Sequence, residues 1–196
     1  MIAPGKVAQR REAKASSIVA AAWRLARENG VAGLSLHALA RDLGMRQPSL
    51  YEYFDSKHAL FDAMFADGNR QLLERFDNTR LPRDPRAALK KFLRTFIEFS
   101  IEDRARSALL FQRHIPGFIP SPASYALAEE VLARAVKLMH EAGVNGQGDV
   151  DCMVAMVSGL IEAQIANDPG GTRWIRHLDR LVDLYVDDAL ARSKRR

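Results

Sequence analysis

Apolar residues in this chain recur at spacings of three and four and almost nowhere alternate, so the pattern predicts helices and no sheet. A first helix is expected over about residues 10–29, with Ile18, Ala22 and Leu25 on one face. Gly30 is placed to end it in the left-handed conformation. Ser35 caps a short second helix whose inward stripe is Leu36, Leu39, Ala40 and Leu43, and Gly44 closes it. Pro48 stands in the first turn of a third helix, where its missing N–H does no harm, and that helix runs to Phe54. Asp55 or Ser56 then opens a fourth, carried past Ala66 by Leu60, Phe61, Met64 and Phe65.

Beyond "DNTRLPRDP" the composition shifts, and a second region begins near Pro85. "RAALKKFLRTFIEFSI" and "RARSALLFQ" read as two helices, followed by the proline-rich break "HIPGFIPSP". Ser121 and Pro122 open a helix that Gly143 ends. "GDVDCMVAMVSGLIEAQIAND" and "GGTRWIRHLDRLVDLYVDDAL" supply the last two. The expected architecture is all-α, about nine helices. An amino-terminal unit of three or four helices over residues 1–66 precedes a larger helical body over 67–196. Helix four is shared between them.

The chemistry concentrates in "GMRQPSLYEYFDSKHAL". Two short helices joined by Gly44-Met45-Arg46 form the helix-turn-helix, with the second as reader in a DNA major groove. Its residues outside the core are Gln47, Ser49, Tyr51, Glu52 and Tyr53. Gln47 can pair bidentately with adenine or meet a phosphate, and Pro48 and the carbons of Tyr51 can pack on thymine methyls. Ser49 can bond a base edge or a phosphate; Tyr53 and Lys57 suit phosphate oxygens, and Arg46 in the turn is counted with them. For the two tyrosines alone, packing and DNA contact are both open. The turn glycine, the first-turn proline and the polar face together point to DNA.

"GVAGLSLHALARDLGMRQPSLYEYFDSKHALFDAM" resembles the DNA-binding domain of the TetR family of bacterial transcriptional regulators. The likeness covers about residues 10–66 and rests on an ordered set: "ENGVAGLS", "LARDLG", "SLYEYF" and the "SK" that opens helix four. It implies that Gln47, Pro48, Ser49, Tyr51, Tyr53 and Lys57 touch DNA. His37 lies where helix two makes its contacts and where the family's founding member has arginine. The resemblance further implies a homodimer whose carboxy-terminal body holds both the dimer interface and a pocket for a small molecule. That body is poorly shared across the family, so no drug- or magnesium-binding residues carry over.

Within the body, the helix containing Val150, Met153, Val157, Leu160 and Ile161 is apolar nearly all round, which asks for burial on two sides. Ala155, Gly159 and Ala163 form a small-residue stripe on it, and Trp174, Leu178, Leu181 and Tyr185 a companion stripe on the last helix. These seven are the expected dimer contacts, pairing with their symmetry mates in a four-helix interface. Phe96, Phe111, His114, Phe118, Met139, Met153 and Gln164 are the candidates for binding an apolar effector. Such a set is more often an ordinary core than a pocket.

Composition narrows the function. A formal net charge of +5 favours a polyanionic partner, and Lys6, Arg10, Arg11 and Lys14 either add attraction to a DNA backbone or are a solvated face. The single cysteine, Cys152, is expected as a buried filler; with no internal disulfide available, a cytoplasmic home is the simplest. No signal-peptide core or membrane span is expected. The five histidines are scattered, and no metal-ligand spacing, P-loop or dinucleotide fingerprint occurs. An enzyme, a metal site and a cofactor are therefore not expected. The preferred reading is a ligand-responsive repressor on a palindromic duplex operator. The alternatives are a helical protein-interaction module and a ligand-independent DNA-binding regulator.

Overall fold

The computed structural model describes residues 4–112 and 115–195. Among these the fold is all helix: α1 Pro4–Asn29, α2 Leu36–Asp42, α3 Gln47–Tyr51, α4 Lys57–Asp77, α5 Pro85–Glu102, α6 Arg104–Phe111, α7 Pro122–Glu141, α8 Gln147–Asn167 and α9 Leu178–Ser193. The all-α architecture thus holds. No helix among the described residues is long and apolar enough to cross a membrane.

Helix starts follow short polar side chains that satisfy otherwise orphaned amides. Ser35 Oγ accepts from the Ala38 amide, Ser56 Oγ from Ala59 at 3.0 Å, Asp84 Oδ2 from Ala87 at 2.7 Å and Asp103 Oδ1 from Arg106 at 3.0 Å. Ser56, rather than Asp55, caps α4. α1 starts earlier than the apolar pattern indicates, because its first turns are exposed helix formers with no stripe to betray them. The segment before α9 departs from the expected continuous helix. It forms a short 3-10 turn, Ile175–His177, before α9 begins at Leu178.

Packing divides the chain into two units, residues 1–70 with 103–127, and residues 71–102 with 128–196. This grouping differs from a single cut after residue 66, because α6 packs against α1. In the first unit Ile18, Ala22, Trp23 and Ala26 of α1 meet Leu39, Leu50, Leu60, Phe61 and Met64, and α6 adds Ala105 and Leu109. Trp23 Nε1 donates to Asp67 Oδ2 at 2.8 Å, and Arg27 Nε pairs with Asp103 at 2.7 Å, so the residue that caps α6 also ties it to α1.

In the second unit α5 packs against α8 and α9. Leu89, Phe92 and Ile97 are buried there, as are Met153, Val157, Leu160, Val182 and Val186. Along its edge Arg86, Lys90 and Arg94 of α5 pair with Asp187, Asp183 and Asp179 of α9, each at 2.6 Å. Rising numbers on one helix meet falling numbers on the other, so the two run antiparallel. Each exposed pair contributes only about 0.2–1 kcal/mol; their value is in fixing register.

Candidate nucleic-acid interface

The turn between α2 and α3 is closed by backbone bonds: the Gly44 amide donates to Arg41 O at 3.1 Å and the Met45 amide to Ala40 O at 2.8 Å. Gly44 has φ 63°, a conformation that a side chain would resist. Arg46 is extended, and Pro48 sits in the first turn, so α3 begins without an orphaned amide at that position. α3 is shorter than the pattern suggests. The Tyr53 and Phe54 amides both turn back to Leu50 O at 3.0 Å, which ends the helix and frees the chain to cap α4.

Leu50 is the anchor, only 2% exposed. On the opposite side Arg46, Pro48, Tyr51 and Glu52 face solvent, with Gln47 and Ser49 half-buried beside them. Tyr51 is 44% exposed, whereas Tyr53 is half-buried and packs with Phe54 against the core of the unit. The two tyrosines therefore divide the two options that the residue types left open. His37 is exposed on α2. Lys57 Nζ donates to Ala32 O at 3.3 Å and lies 5.3 Å from the centre of the Phe61 ring. That leaves two of its three N–H donors for another acceptor. Glu52 adds a carboxylate to this face, suited to a cytosine amino group and not to a phosphate.

Of the basic residues in α1, Lys6 and Arg10 are exposed and Lys14 is half-buried. Arg11 Nη2 donates to Glu52 O at 2.9 Å, so its guanidinium reaches the carboxyl end of α3.

Residues 18–64 match the family described as bacterial regulatory proteins, tetR family. The amino-terminal helix-turn-helix is a TetR-family DNA-binding domain. A helix-turn-helix regulator of Mycobacterium tuberculosis, Rv1816, is 31% identical over 124 residues, 60% of this chain and 52% of that protein. The chain thus spans about half the length of this relative. The class A tetracycline repressor of Escherichia coli is 28% identical over 166 residues, 81% of this chain and 70% of that one. The solved structure of BioQ with its double-stranded DNA operator shares the fold, with a TM-score of 0.62 at 21% identity over 90% of this chain and 98% of that one. The first two are named as a transcriptional regulator and a repressor, and neither name is that of an enzyme.

The effector candidates outside the TetR-family domain fall in different places. Phe111 and Phe118 belong to the first unit; Phe96, Met139, Met153 and Gln164 belong to the second. His114 lies outside the described residues. Phe111 is 39% exposed, and Met139 and Met153 are each 2% exposed. Gln164 is fully engaged by its own unit. Its Nε2 donates to the Asp168 carbonyl and to Asp168 Oδ2, and its Oε1 accepts from the Trp174 amide at 2.9 Å. Those bonds explain both its burial and the turn that delays α9, so its polarity is no pointer to an effector.

Of the dimer candidates, Ala155 and Gly159 are exposed on α8 beside Val154, which is 49% exposed. Ala163, Trp174, Leu181 and Tyr185 are half-buried. Leu178 is only 1% exposed and belongs to the core of its own unit, a correction to its placement in the companion stripe. Cys152 is exposed, not a buried filler, because this side of α8 is left uncovered. Tyr185 Oη and Arg192 Nη2 both donate to Asp149 Oδ1 at 2.7 Å. Arg192, then Tyr185, hold the Asp149 carboxyl below its ordinary range, while burial and then Asp149 push the Tyr185 phenol upward.

Residue spacing alone missed a cluster on α4. Asp62 accepts from Ser121 and Ser124, 59 and 62 positions away, and no local pattern joins residues so far apart.

Proposed function

We propose that this chain is a ligand-responsive transcriptional repressor that binds a near-palindromic operator as a homodimer and is released by a small apolar molecule. The outward face of α3 carries the reading: Leu50 faces in, while Arg46, Pro48 and Tyr51 stand in solvent where base edges and phosphates can reach them. In this reading Gln47 and Ser49 contact base edges, Tyr51 packs on thymine methyls, and His37, Arg46 and Lys57 serve the backbone, while Tyr53 packs on the core of its unit. The exposed strip of Val154, Ala155 and Gly159 takes a second copy of α8. Phe96, Met139 and Met153, all of the second unit, remain the apolar candidates around an effector.

Support for repression comes from the tetracycline repressor, whose name joins a small molecule to repression, and for the duplex partner from BioQ with its operator. Effector release demands a differential affinity of about 5.5 kcal/mol to invert a 1:99 population. One observation favours a ligand-independent regulator instead: the polar groups of Gln164 are already engaged by the protein itself.

Selection of bound fragments from random duplexes, with and without candidate apolar molecules, tests both. A palindrome with half-sites about one helical turn or a multiple apart is expected, lost when the effector is added. Binding that no small molecule alters would favour the second reading. Absence of any salt-dependent duplex binding would reject both.

A further inference from the structure

α1 begins well before the core it serves. Residues 5–13 are all exposed, Lys14 is half-buried, and the first buried residue of the helix is Ile18. The projecting turns are cationic. Lys6, Arg10 and Lys14 follow one another at intervals of four, and Glu12 is the only acidic residue before Glu28. At about 100° per residue the three cations share one flank of the helix, while Glu12 falls about 200° from Arg10, on the other. Among the described residues no carboxylate pairs with Lys6, Arg10 or Lys14.

Such a row opposes its own helix. Like charges four residues apart repel, and cations near an amino terminus add to the positive end of the helix dipole, which no acidic residue in the first turn of α1 offsets. Facing phosphates would reverse both effects. The position suits them, because Arg11 Nη2 donates to Glu52 O at 2.9 Å and so sets this stretch of α1 beside the carboxyl end of α3. Lys6 and Lys14 stand about 12 Å apart along the helix, a length of roughly three to four base-pair steps. We infer that Lys6, Arg10 and Lys14 form a second DNA surface, which grips the phosphate backbone beyond the carboxyl end of the reading helix and reads no base. This rests on the proposed duplex binding and deepens it. Phosphate contacts carry no sequence information directly, so this surface lengthens the footprint without adding letters to the operator.

The test measures affinity against salt on the duplex selected by the full-length wild-type chain, with a hydroxyl-radical footprint of the same complex. Lys6→Ala/Arg10→Ala/Lys14→Ala should flatten the slope of log affinity against log salt by about 2.7, at about 0.9 per lost phosphate contact. The sequence selected from random duplexes should stay the same, and the footprint should lose protection only at phosphates beyond those that α3 covers. Alanine is the best helix former, so the variant keeps α1. Lys6→Arg/Lys14→Arg preserves the charge and should keep the wild-type slope. A triple variant with the wild-type slope overturns the surface, whether its affinity is unchanged or, from a merely structural role, lower. A changed selected sequence overturns it too, by making these residues base readers. A wild-type chain that binds no duplex in a salt-dependent way overturns the DNA-binding reading itself, and so is told apart from a failure of this surface alone.

Discussion

Arg11 of α1 donates to the carbonyl of Glu52 at 2.9 Å, joining the exposed start of the first helix to the end of the reading helix. A guanidinium already hydrogen-bonded to an orphaned helix carbonyl acts as a brace, and braces leave a different trace from phosphate contacts. Arg11→Ala should lower operator affinity by about three- to tenfold while leaving the slope of log affinity against log salt nearly unchanged. A slope flattened by a full unit would show Arg11 to be a phosphate contact instead.

Lys57 is expected to behave in the opposite way. One N–H meets Ala32 O, and the others remain able to reach a phosphate. Lys57→Ala should weaken binding to all duplex sequences alike and flatten the salt slope by about one unit. Titrations by fluorescence anisotropy at several salt concentrations check this. An unchanged slope would confine the lysine to its intramolecular bond.

Tyr51 and Tyr53 should separate function from stability. Tyr51→Ala removes a ring that is 44% exposed, so denaturant melts should shift by no more than about 0.5 kcal/mol while operator affinity falls. Tyr53→Ala opens a gap against the core of its unit and should cost about 1–2 kcal/mol of stability. Equal stability losses for the two would contradict this division.

Gly159 offers a clean probe of the proposed dimer. A Cβ at this position meets nothing within 4 Å, so a larger residue fits the subunit without strain. Gly159→Leu should even favour α8 by about 0.5–1 kcal/mol through helix propensity. Sedimentation should nonetheless show the dimer lost or weakened, because the added side chain fills the strip where a second backbone would come close. An undisturbed dimer would move the interface elsewhere.

Asp149 and Tyr185 set opposite pH limits on the second unit. The folded carboxyl titrates below its unfolded value of about 3.9, so its contribution is present above that value and is lost as pH falls through the folded one. The phenol titrates above its unfolded value of about 10, so its contribution holds below pH 10 and fades as pH rises further. The gap between wild type and Asp149→Asn in thermal melts should therefore narrow as pH falls below about 3.9, and the gap between wild type and Tyr185→Phe should narrow as pH rises above about 10. Parallel curves over the whole range would detach both residues from stability.

Much of this was legible in residue spacing because it is local. Ser35, Gly44, Pro48 and Ser56 announce helix ends by their own chemistry, and the stripes of Leu39, Leu50 and Leu60 announce a core. Relations between distant segments were not legible. The Asp62 carboxylate reads as an ordinary exposed acid until Ser121 and Ser124 fold against it. Gln164 looked like a polar group in need of an effector, and its true partners lie on the far side of a turn. Leu178 fitted a stripe whose inward and outward faces only the 3-10 turn at Ile175–His177 decides. The apolar excess of α8 is not all buried within its own unit, as the exposure of Val154 shows.

The brevity of α3 has its own consequence. Five residues make a rod about 7.5 Å long, which lies over roughly two base-pair steps. An address of two or three letters recurs everywhere in a genome. In the proposed dimer, discrimination then comes from metre rather than vocabulary: the distance at which the short word is spoken twice.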